Sequence, residues 1–201
     1  MISAVIFDLD GTLTKTPSPW RHVHERLGLW DNTACGYLDE WLSGRIAYDE
    51  FCRRDARLWS GRSVREIETF LDEIVWNRHV PAVVEHLVAA SIPSIIISSG
   101  FKYIATKIQV RHGWELLEIH ANDLREGPEV CINVSGDSVS PISKRALAAE
   151  ALARIGVTFE KTLVVSDTER DLEALRDCRY KLLIEREDDL LRVREFVGSN
   201  L

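Results

Sequence analysis

The chain has 201 residues, of which 45% are hydrophobic and 28% are charged, and its formal net charge is −7. This composition predicts a packed core, in one domain or in one core with a smaller insertion. The negative charge argues against a nucleic-acid partner, since nucleic-acid-binding proteins need a basic surface. No segment approaches the roughly 20 apolar residues of a membrane span, and the N-terminal residues lack the features of a secretory signal. We therefore expect a cytoplasmic protein without a membrane association.

Short apolar runs alternate with helical patterns along most of the chain. The apolar runs cover residues 2–7, 93–97, 161–165 and 180–184, with a weaker run at 117–120. The predicted helices cover about 101–112, 141–155 and 169–178. Strands that alternate with helices pair in parallel, so the pattern predicts an α/β fold with a doubly wound, mainly parallel, Rossmann-like sheet. Turn residues within 122–139 indicate a short hairpin beside this sheet.

Residues 17–77 interrupt the alternation with four helical patterns. Ser18 and Pro19 open the first of these patterns, and Ser63 opens the last in the form of a capping box. Five of the six tryptophans fall inside this segment, where a small helical bundle needs them as core. We predict a core of residues 1–16 and 78–201, with 17–77 inserted as a helical cap domain.

Two aspartates follow the first apolar run directly, in Asp8-Leu9-Asp10-Gly11-Thr12. Ligands of open α/β sheets bind beyond the carboxyl ends of the strands, so both carboxylates are expected at a ligand site. There Asp8 can bind a cation and attack an electrophile, and Asp10 can act as an acid or a base on the other side of the reacting group. An isolated DxD would favour a turn with solvated aspartates, but three further segments favour a catalytic site.

The three segments supply hydroxyl, ammonium and carboxylate groups. The Ser98-Ser99-Gly100 segment ends a second strand, where it can hold phosphate oxygens at the start of the next helix. Lys144 can offset the charge that aspartates share with a phosphate, although an isolated lysine is most often a solvated surface residue. Asp167 ends a third strand and can complete an all-oxygen magnesium site with Asp8. Asp171 can orient Lys144 or a metal-bound water.

In this order, these four segments resemble the motifs of the haloacid dehalogenase superfamily. The resemblance covers residues 1–14 and about 81–184. Residues 98–122 are further similar to the phosphoserine-phosphatase-like branch, which carries a helical cap after the first motif. The resemblance implies a magnesium-dependent phosphatase that hydrolyses a small-molecule phosphate monoester through a phosphoaspartyl intermediate.

The resemblance also implies a role for each matching residue. Asp8 corresponds to the nucleophile and Asp10 to the general acid and base. Mg²⁺ would be held by the side chains of Asp8 and Asp167 and by the backbone carbonyl of Asp10. Three residues would bind the phosphoryl group, with Asp171 in a supporting position: Ser98, Ser99 and Lys144.

Four positions depart from the branch. Ser166 and Arg170 stand where a glycine and an asparagine are usual, and Arg170 either contacts phosphate differently or points to solvent. Pro17 and Asp55 stand where phosphoserine phosphatases have a glutamate and an arginine that bind the substrate's ammonium and carboxylate. These two changes argue against phosphoserine as the substrate.

Asp55 lies in an otherwise apolar stripe of the third predicted cap helix, at positions 48, 51, 52, 55, 56 and 59. A carboxylate there needs a partner. One hypothesis is an ion pair or hydrogen bond inside the cap, with Arg53, Arg54, Arg57 or Arg62. The other is that Asp55 binds a cationic or hydroxyl-bearing part of the substrate, to which Tyr48 and Trp59 add cation–π attraction. The second hypothesis predicts a phosphorylated amine or polyol.

Two rival functions use similar groups. A phosphotransferase or phosphomutase of the same family would pass the phosphoryl group to an acceptor other than water, which the sequence does not distinguish. A receiver-type signalling domain also uses a parallel sheet, an aspartyl phosphate, magnesium and a lysine. Receiver domains have adjacent acids after the first strand and no inserted cap, so the DxD spacing and residues 17–77 go against this rival.

Overall fold

The computed structural model describes residues 1–125, 131–132 and 143–198. A five-stranded, all-parallel sheet with the order β3-β2-β1-β6-β7 forms the centre of the fold. Its strands are β1 (Ala4–Phe7), β2 (Ser94–Phe101), β3 (Leu117–Asn122), β6 (Thr162–Ser166) and β7 (Tyr180–Leu183). A separate antiparallel pair joins β4 (Leu124–Arg125) to β5 (Cys131–Ile132).

The central strand β1 is buried on both faces. Val5 and Phe7 belong to one hydrophobic cluster, whereas Ala4 and Ile6 belong to a second cluster on the other side of the sheet. Side chains alternate along a strand, so a strand between two layers of helices needs apolar residues at every position. This requirement explains the uninterrupted apolar run that ends at Asp8.

Helices cover both faces of the sheet, as doubly wound α/β folds require. They are α5 (Val80–Ala89), α6 (Lys102–His112), α7 (Lys144–Arg154), α8 (Glu169–Ala174) and α9 (Arg192–Gly198). α7 packs on β2 and α8 packs on β6, while α5 packs on α6 and α9. The predicted α/β fold with a parallel sheet is confirmed.

The inserted segment is helical, as predicted. It contains α1 (Pro19–Arg26), a π-helical turn (Trp30–Ala34), α2 (Cys35–Leu42), α3 (Tyr48–Leu58) and α4 (Val64–Leu71). The Ser18 and Ser63 side chains cap α1 and α4 by accepting hydrogen bonds from the backbone N–H groups of Arg21 and Glu66.

The chain enters and leaves the insertion at one place. Thr14 and Trp76 form an isolated antiparallel bridge there, and the Lys15 N–H donates to the Val75 carbonyl. This pairing supports domain boundaries near residues 16 and 78, which stay a prediction.

Some local features differ from the prediction. α5 and α9 were not predicted; α5 is rich in valine, which has a modest intrinsic helix preference, and has a proline in its first turn. β2 runs to Phe101, beyond the predicted end at residue 97. The turn residues of the predicted hairpin, at 127–128 and 135–137, lie outside the described residues. In the described part of the chain, no helix has the length and apolar character needed to cross a membrane.

Asp189 anchors the chain after the last strand of the sheet. Its side chain is 10% exposed and accepts hydrogen bonds from the backbone N–H groups of Glu185, at 3.2 Å, and Arg186, at 2.8 Å. These bonds satisfy N–H groups at the start of the 3₁₀ turn Glu187–Leu191, which leads into α9.

We predict that Asp189→Ala destabilises the protein by about 1 kcal/mol, the usual cost of losing a helix cap. For a chain of this size, the melting temperature should fall by about 2–4 °C in differential scanning calorimetry. Glu185→Ala is the matched control because its side chain is exposed, and we expect a change within about 0.5 kcal/mol. Equal melting temperatures for the two variants would show that the Asp189 cap contributes nothing.

Candidate active site

The carboxyl ends of β1 and β6 bring the predicted acidic residues together. Phe7 pairs with Val165 in adjacent parallel strands, so Asp8 and Asp167, which follow them, lie at the same edge of the sheet. The Asp8 N–H donates to the Val165 carbonyl at 2.9 Å, which continues the ladder to the start of the loop. This is the edge at which ligands of open α/β sheets bind.

Lys144 joins two of these carboxylates. Its Nζ lies 2.7 Å from Asp8 Oδ1 and 2.6 Å from Asp171 Oδ2, and the side chain is 4% exposed. The Ser166 hydroxyl also donates to Asp171 Oδ2, at 3.2 Å. Asp171 is held in turn by the capped start of α8, where its N–H donates to the Thr168 hydroxyl. The Lys144 ammonium is therefore held between the Asp8 carboxylate, at the end of β1, and the Asp171 carboxylate, in α8.

The ionisation of Lys144 and Asp8 follows from this arrangement. Burial by itself lowers the pKa of Lys144, but the charges of Asp8 and Asp171 outweigh it and raise the pKa above its ordinary value. Burial raises the pKa of Asp8, Lys144 opposes that rise, and the charges of Asp171 and Asp167 add to it. Lys144 is thus a firmly protonated cation at neutral pH, within a cluster of carboxylates that repel one another.

Asp10 is buried, with 8% of its surface exposed. Its Oδ2 accepts a hydrogen bond from the Ser98 hydroxyl at 2.8 Å, and its Oδ1 is buried without a hydrogen-bond partner among the described residues. Burial and then the charge of Asp8 raise the pKa of Asp10, against the Ser98 hydrogen bond. These conditions favour the protonated carboxylic acid, which can donate a proton.

Ser98 is expected from the sequence to bind phosphate, and that role stays a prediction. It is fully buried, donates to Asp10 and accepts a hydrogen bond from the Gly100 N–H at 2.8 Å. In this structure the Ser98 hydroxyl therefore holds the Asp10 side chain in place. Ser99, the second residue predicted to bind phosphate, lines the pocket. It lies where the register between β2 and β3 shifts, between Ile97 and Phe101.

The turn after β1 brings the Asp167 side chain against the backbone. Gly11 has a φ of +78°, and a Cβ at this position would lie 2.2 Å from Asp167 Oδ2. The Thr12 hydroxyl accepts a hydrogen bond from the Asp167 N–H at 2.9 Å and donates to Asp167 Oδ1 at 3.4 Å. Burial raises the pKa of Asp167, so this carboxylate also gains from a nearby cation.

The donors at this edge suit magnesium. Hard carboxylate and carbonyl oxygens are the ligands that Mg²⁺ prefers, usually one or two carboxylates with phosphate and water. The described residues contain no cluster of three or more acidic, histidine or cysteine side chains arranged for a metal. Two carboxylates, Asp8 and Asp167, with one main-chain carbonyl stay the predicted ligand set.

A cavity of about 440 Å³ opens over these groups. The core lines it with the predicted residues Asp8, Asp10, Ser99, Lys144, Asp167 and Asp171, and also with Gly100, Thr168 and Arg170. The inserted segment lines it with Pro17, Ser18, Pro19, Trp20 and Trp41. Core and insertion thus face each other across the pocket, and Arg170 is an exposed cation on its rim.

The Ser99 carbonyl joins the insertion to the core. It accepts hydrogen bonds from Trp20 Nε1 at 2.9 Å, Asn122 Nδ2 at 2.7 Å and the Tyr48 hydroxyl at 3.4 Å. Trp20 also packs on Phe101, with ring centroids 4.9 Å apart. The loop that carries Ser99 is therefore held from the cap and from β3 at the same time.

Asp55 does not line the pocket, and its position goes against the hypothesis that it binds the substrate. Its side chain is 2% exposed, and its Oδ2 lies 3.3 Å from His24 Nε2. The Trp59 indole N–H donates to His24 Nδ1 at 3.2 Å, which leaves the proton of the neutral imidazole on the nitrogen that faces Asp55. The alternative of pairing inside the cap agrees with this geometry, but the partner is His24 and not a nearby arginine.

Tyr48 and Trp59 were expected to face the substrate with Asp55. Trp59 is fully buried and bonded to His24, while Tyr48 is 9% exposed and bonded to the Ser99 carbonyl. Neither residue lines the pocket. The reason is that the apolar face of α3 packs inside the cap, as amphipathic helices do, and not over the ligand site.

Sequence reasoning missed Trp20 and Trp41 as pocket residues. Five tryptophans in a 61-residue insertion were interpreted as core, and nothing in the spacing separates the two that reach the pocket. The sequence position of Trp20 could have indicated that it lies near the site. It is in the first turn of the helix that follows Ser18, a few residues after the first motif.

We predict that Gly11→Ala displaces Asp167 while Gly44→Ala, its matched control, does not. Both glycines have a left-handed backbone, with φ of +78° and +74°, so both variants carry the same strain of about 1–2 kcal/mol. Only at Gly11 does a Cβ meet another residue; nothing lies within 4 Å of a Cβ at Gly44. In crystal structures, Asp167 should move by at least about 1 Å in Gly11→Ala, to restore van der Waals separation. An unmoved Asp167 would contradict the close packing described here.

Comparison with known proteins places these motifs in a family. The family model described as haloacid dehalogenase-like hydrolase matches residues 5–176. A comparison with curated proteins finds no match.

Three solved structures illustrate the similarity in fold. A phospho-aspartyl intermediate analogue of phosphoserine phosphatase is 16% identical, with a TM-score of 0.72, and 96% of this chain and 90% of that chain are covered. A haloacid dehalogenase family hydrolase from Salmonella enterica serovar Typhi is 13% identical, with a TM-score of 0.78 and coverages of 96% and 70%. Cytosolic 5′-nucleotidase IIIB bound to cytidine is 10% identical, with a TM-score of 0.60 and coverages of 98% and 86%. The family match covers most of the sequence, and the fold is that of phosphoserine phosphatases, so this chain belongs to the haloacid dehalogenase-like hydrolases.

Proposed function

We propose that the protein is a magnesium-dependent phosphatase that hydrolyses a small-molecule phosphate monoester through a phosphorylated Asp8. The observation that carries this proposal is the Lys144 bridge between Asp8 and Asp171, beside the buried Asp10 on the same pocket. The similarity in fold to a phospho-aspartyl analogue of phosphoserine phosphatase supports it.

In the first step, the Asp8 carboxylate attacks the phosphorus of the substrate. A bond forms between an Asp8 oxygen and phosphorus, and the bond between phosphorus and the alcohol oxygen breaks. Asp10, protonated because it is buried beside another carboxylate, gives its proton to the leaving oxygen. Lys144 offsets the negative charge shared by Asp8 and the phosphoryl oxygens.

In the second step, Asp10 acts as a carboxylate. It takes a proton from water as the water oxygen attacks the phosphorus, and the bond between phosphorus and Asp8 breaks. Inorganic phosphate leaves, and Asp10 is protonated again. Ser98 keeps the Asp10 side chain in place in both steps through its hydrogen bond.

Asp8, Asp167 and the Asp10 carbonyl would hold Mg²⁺. When bound, the metal neutralises charge on the transferring phosphoryl group and orients it for in-line attack. Asp171 fixes Lys144, and Arg170 is placed on the pocket rim, where a guanidinium can reach a phosphate oxygen. Residues 17–77 act as the cap that limits access of water to this site.

We predict that Asp8→Asn abolishes phosphate release, because the variant lacks the attacking carboxylate, and also abolishes the binding of beryllofluoride as a phosphoaspartate mimic. Asp10→Asn should lower kcat by about 10²–10⁴-fold, the usual contribution of a general acid, with KM still measurable. Steady-state release of inorganic phosphate measures both effects. Asp39→Asn, an exposed aspartate on α2, is the control and should behave as wild type. Full activity in either active-site variant would refute the assignment.

We predict that a chelator stops turnover and that added Mg²⁺ restores it. Asp167→Asn should raise the Mg²⁺ concentration needed for half-maximal activity, because the variant lacks one negatively charged oxygen ligand. The measurement is activity as a function of Mg²⁺ concentration in the wild type, in this variant and in Asp39→Asn. Because Asp39→Asn also removes one negative charge, it shows whether the effect of Asp167→Asn is the loss of a metal ligand or a general effect of charge. Equal turnover with zinc, or without any metal, would show that the site has been misassigned.

A further inference from the structure

The wall of the pocket that faces the leaving group comes from the cap and carries no charged side chain among the described residues. It consists of Pro17, Ser18, Pro19, Trp20 and Trp41. The charged residues of the pocket all come from the core, where the phosphoryl group is expected. The cap wall therefore offers rings and a hydroxyl to the far end of the substrate.

Trp41 is the cap residue best placed to make a specific contact. It is half-buried, and its indole stacks on the Phe51 ring, with centroids 5.4 Å apart and planes 14° apart. The same indole makes a T-shaped contact with the Tyr48 ring, with centroids 5.4 Å apart and planes 65° apart. Tyr48 is itself bonded to the Ser99 carbonyl, so the core loop, Tyr48 and Trp41 form a connected support. Trp41 thus presents a fixed aromatic surface to the pocket.

Trp20 is less able to adapt to a ligand. Its indole N–H is bonded to the Ser99 carbonyl, and its rings pack on Phe101, Phe51 and Trp59. It is 7% exposed. Trp20 forms the rigid base of the cap wall, and Trp41 supplies its accessible aromatic surface.

A charged leaving group would find no partner on this wall. The acidic residue expected to bind a cation, Asp55, is buried against His24. An ammonium or carboxylate that loses water without a partner costs free energy, whereas a planar ring gains from packing on an indole. The indole surface of the wall favours an alcohol with a planar ring, and the lack of charged side chains on the wall, among the described residues, favours an uncharged alcohol.

Resting on the phosphatase function above, we propose that the preferred substrate is the phosphate monoester of an uncharged alcohol that carries a planar ring, and that Trp41 is the residue that selects it. This specificity is a property of the cap side of the pocket. It is separate from the chemistry of Asp8, Asp10 and Lys144.

Benzyl phosphate and cyclohexylmethyl phosphate are the decisive pair of substrates. Both are phosphate monoesters of uncharged primary alcohols of similar size, and they differ in whether the ring is planar. Wild type should favour benzyl phosphate in kcat/KM by about 2- to 12-fold, the range that an aromatic pair contributes beyond buried area. Phosphoserine and phosphoethanolamine, whose leaving groups are charged, should rank below both.

Three variants test the role of Trp41. Trp41→Leu keeps an apolar side chain without a plane, so the ratio of kcat/KM for benzyl over cyclohexylmethyl phosphate should fall to about 1, mainly through KM. Trp41→Phe should restore a preference for benzyl phosphate. Trp30→Leu is the matched control, since Trp30 lies in the same cap but not on the pocket, and it should keep the wild-type ratio.

The outcomes separate the specificity from the chemistry. If wild type hydrolyses esters but ranks phosphoserine first, or does not distinguish the two ring esters, the specificity proposal is overturned and the phosphatase function stands. The specificity proposal is likewise overturned if Trp41→Leu keeps the wild-type ratio. If no ester in the panel releases phosphate with Mg²⁺ present, the phosphatase function fails, and the specificity proposal fails with it.

Discussion

The arrangement of the active site depends on how the repulsion among several carboxylates at one edge of the sheet is offset. Asp8 and Asp167 follow adjacent parallel strands, and Asp10 and Asp171 lie within four residues of them along the chain. In a buried setting such a cluster is unfavourable unless cations offset it. The ammonium of Lys144 supplies part of that charge from α7, which packs on β2. The negative charge that remains makes this edge of the sheet a favourable place for a further cation.

Because the carboxylates are crowded together, the backbone at Gly11 and Gly100 lies against the side chains of Asp167 and Asp10. A Cβ at Gly100 would lie 2.1 Å from Asp10 Oδ2, and a Cβ at Gly11 would lie 2.2 Å from Asp167 Oδ2. Glycine at both positions lets the loops after β1 and β2 close around the carboxylates. Gly11 has the second task of adopting a positive φ. Packing and electrostatics thus impose one geometry on the site.

The cap contacts the core at several places, one of which is the Ser99 carbonyl beside the active site. Ser99 accepts hydrogen bonds from two cap residues, Trp20 and Tyr48, and from Asn122 at the end of β3. Ser98, next to it, bonds Asp10. The Ser99 carbonyl therefore connects the cap to the segment that carries Ser98.

The sequence by itself determined the sheet and the order of the motifs. Asp8 and Asp167 could be placed because a buried parallel strand reads as an apolar run and its carboxyl end is the ligand edge. The side-chain partners of Ser98 and Asp55 were decided only by the tertiary structure. Ser98 donates a hydrogen bond to Asp10 on a neighbouring strand end, and Asp55 lies beside His24 of another helix. Periodicity shows which residues share a face but not what packs against it, and for this reason Trp41 could be recognised as a pocket residue only in the folded chain.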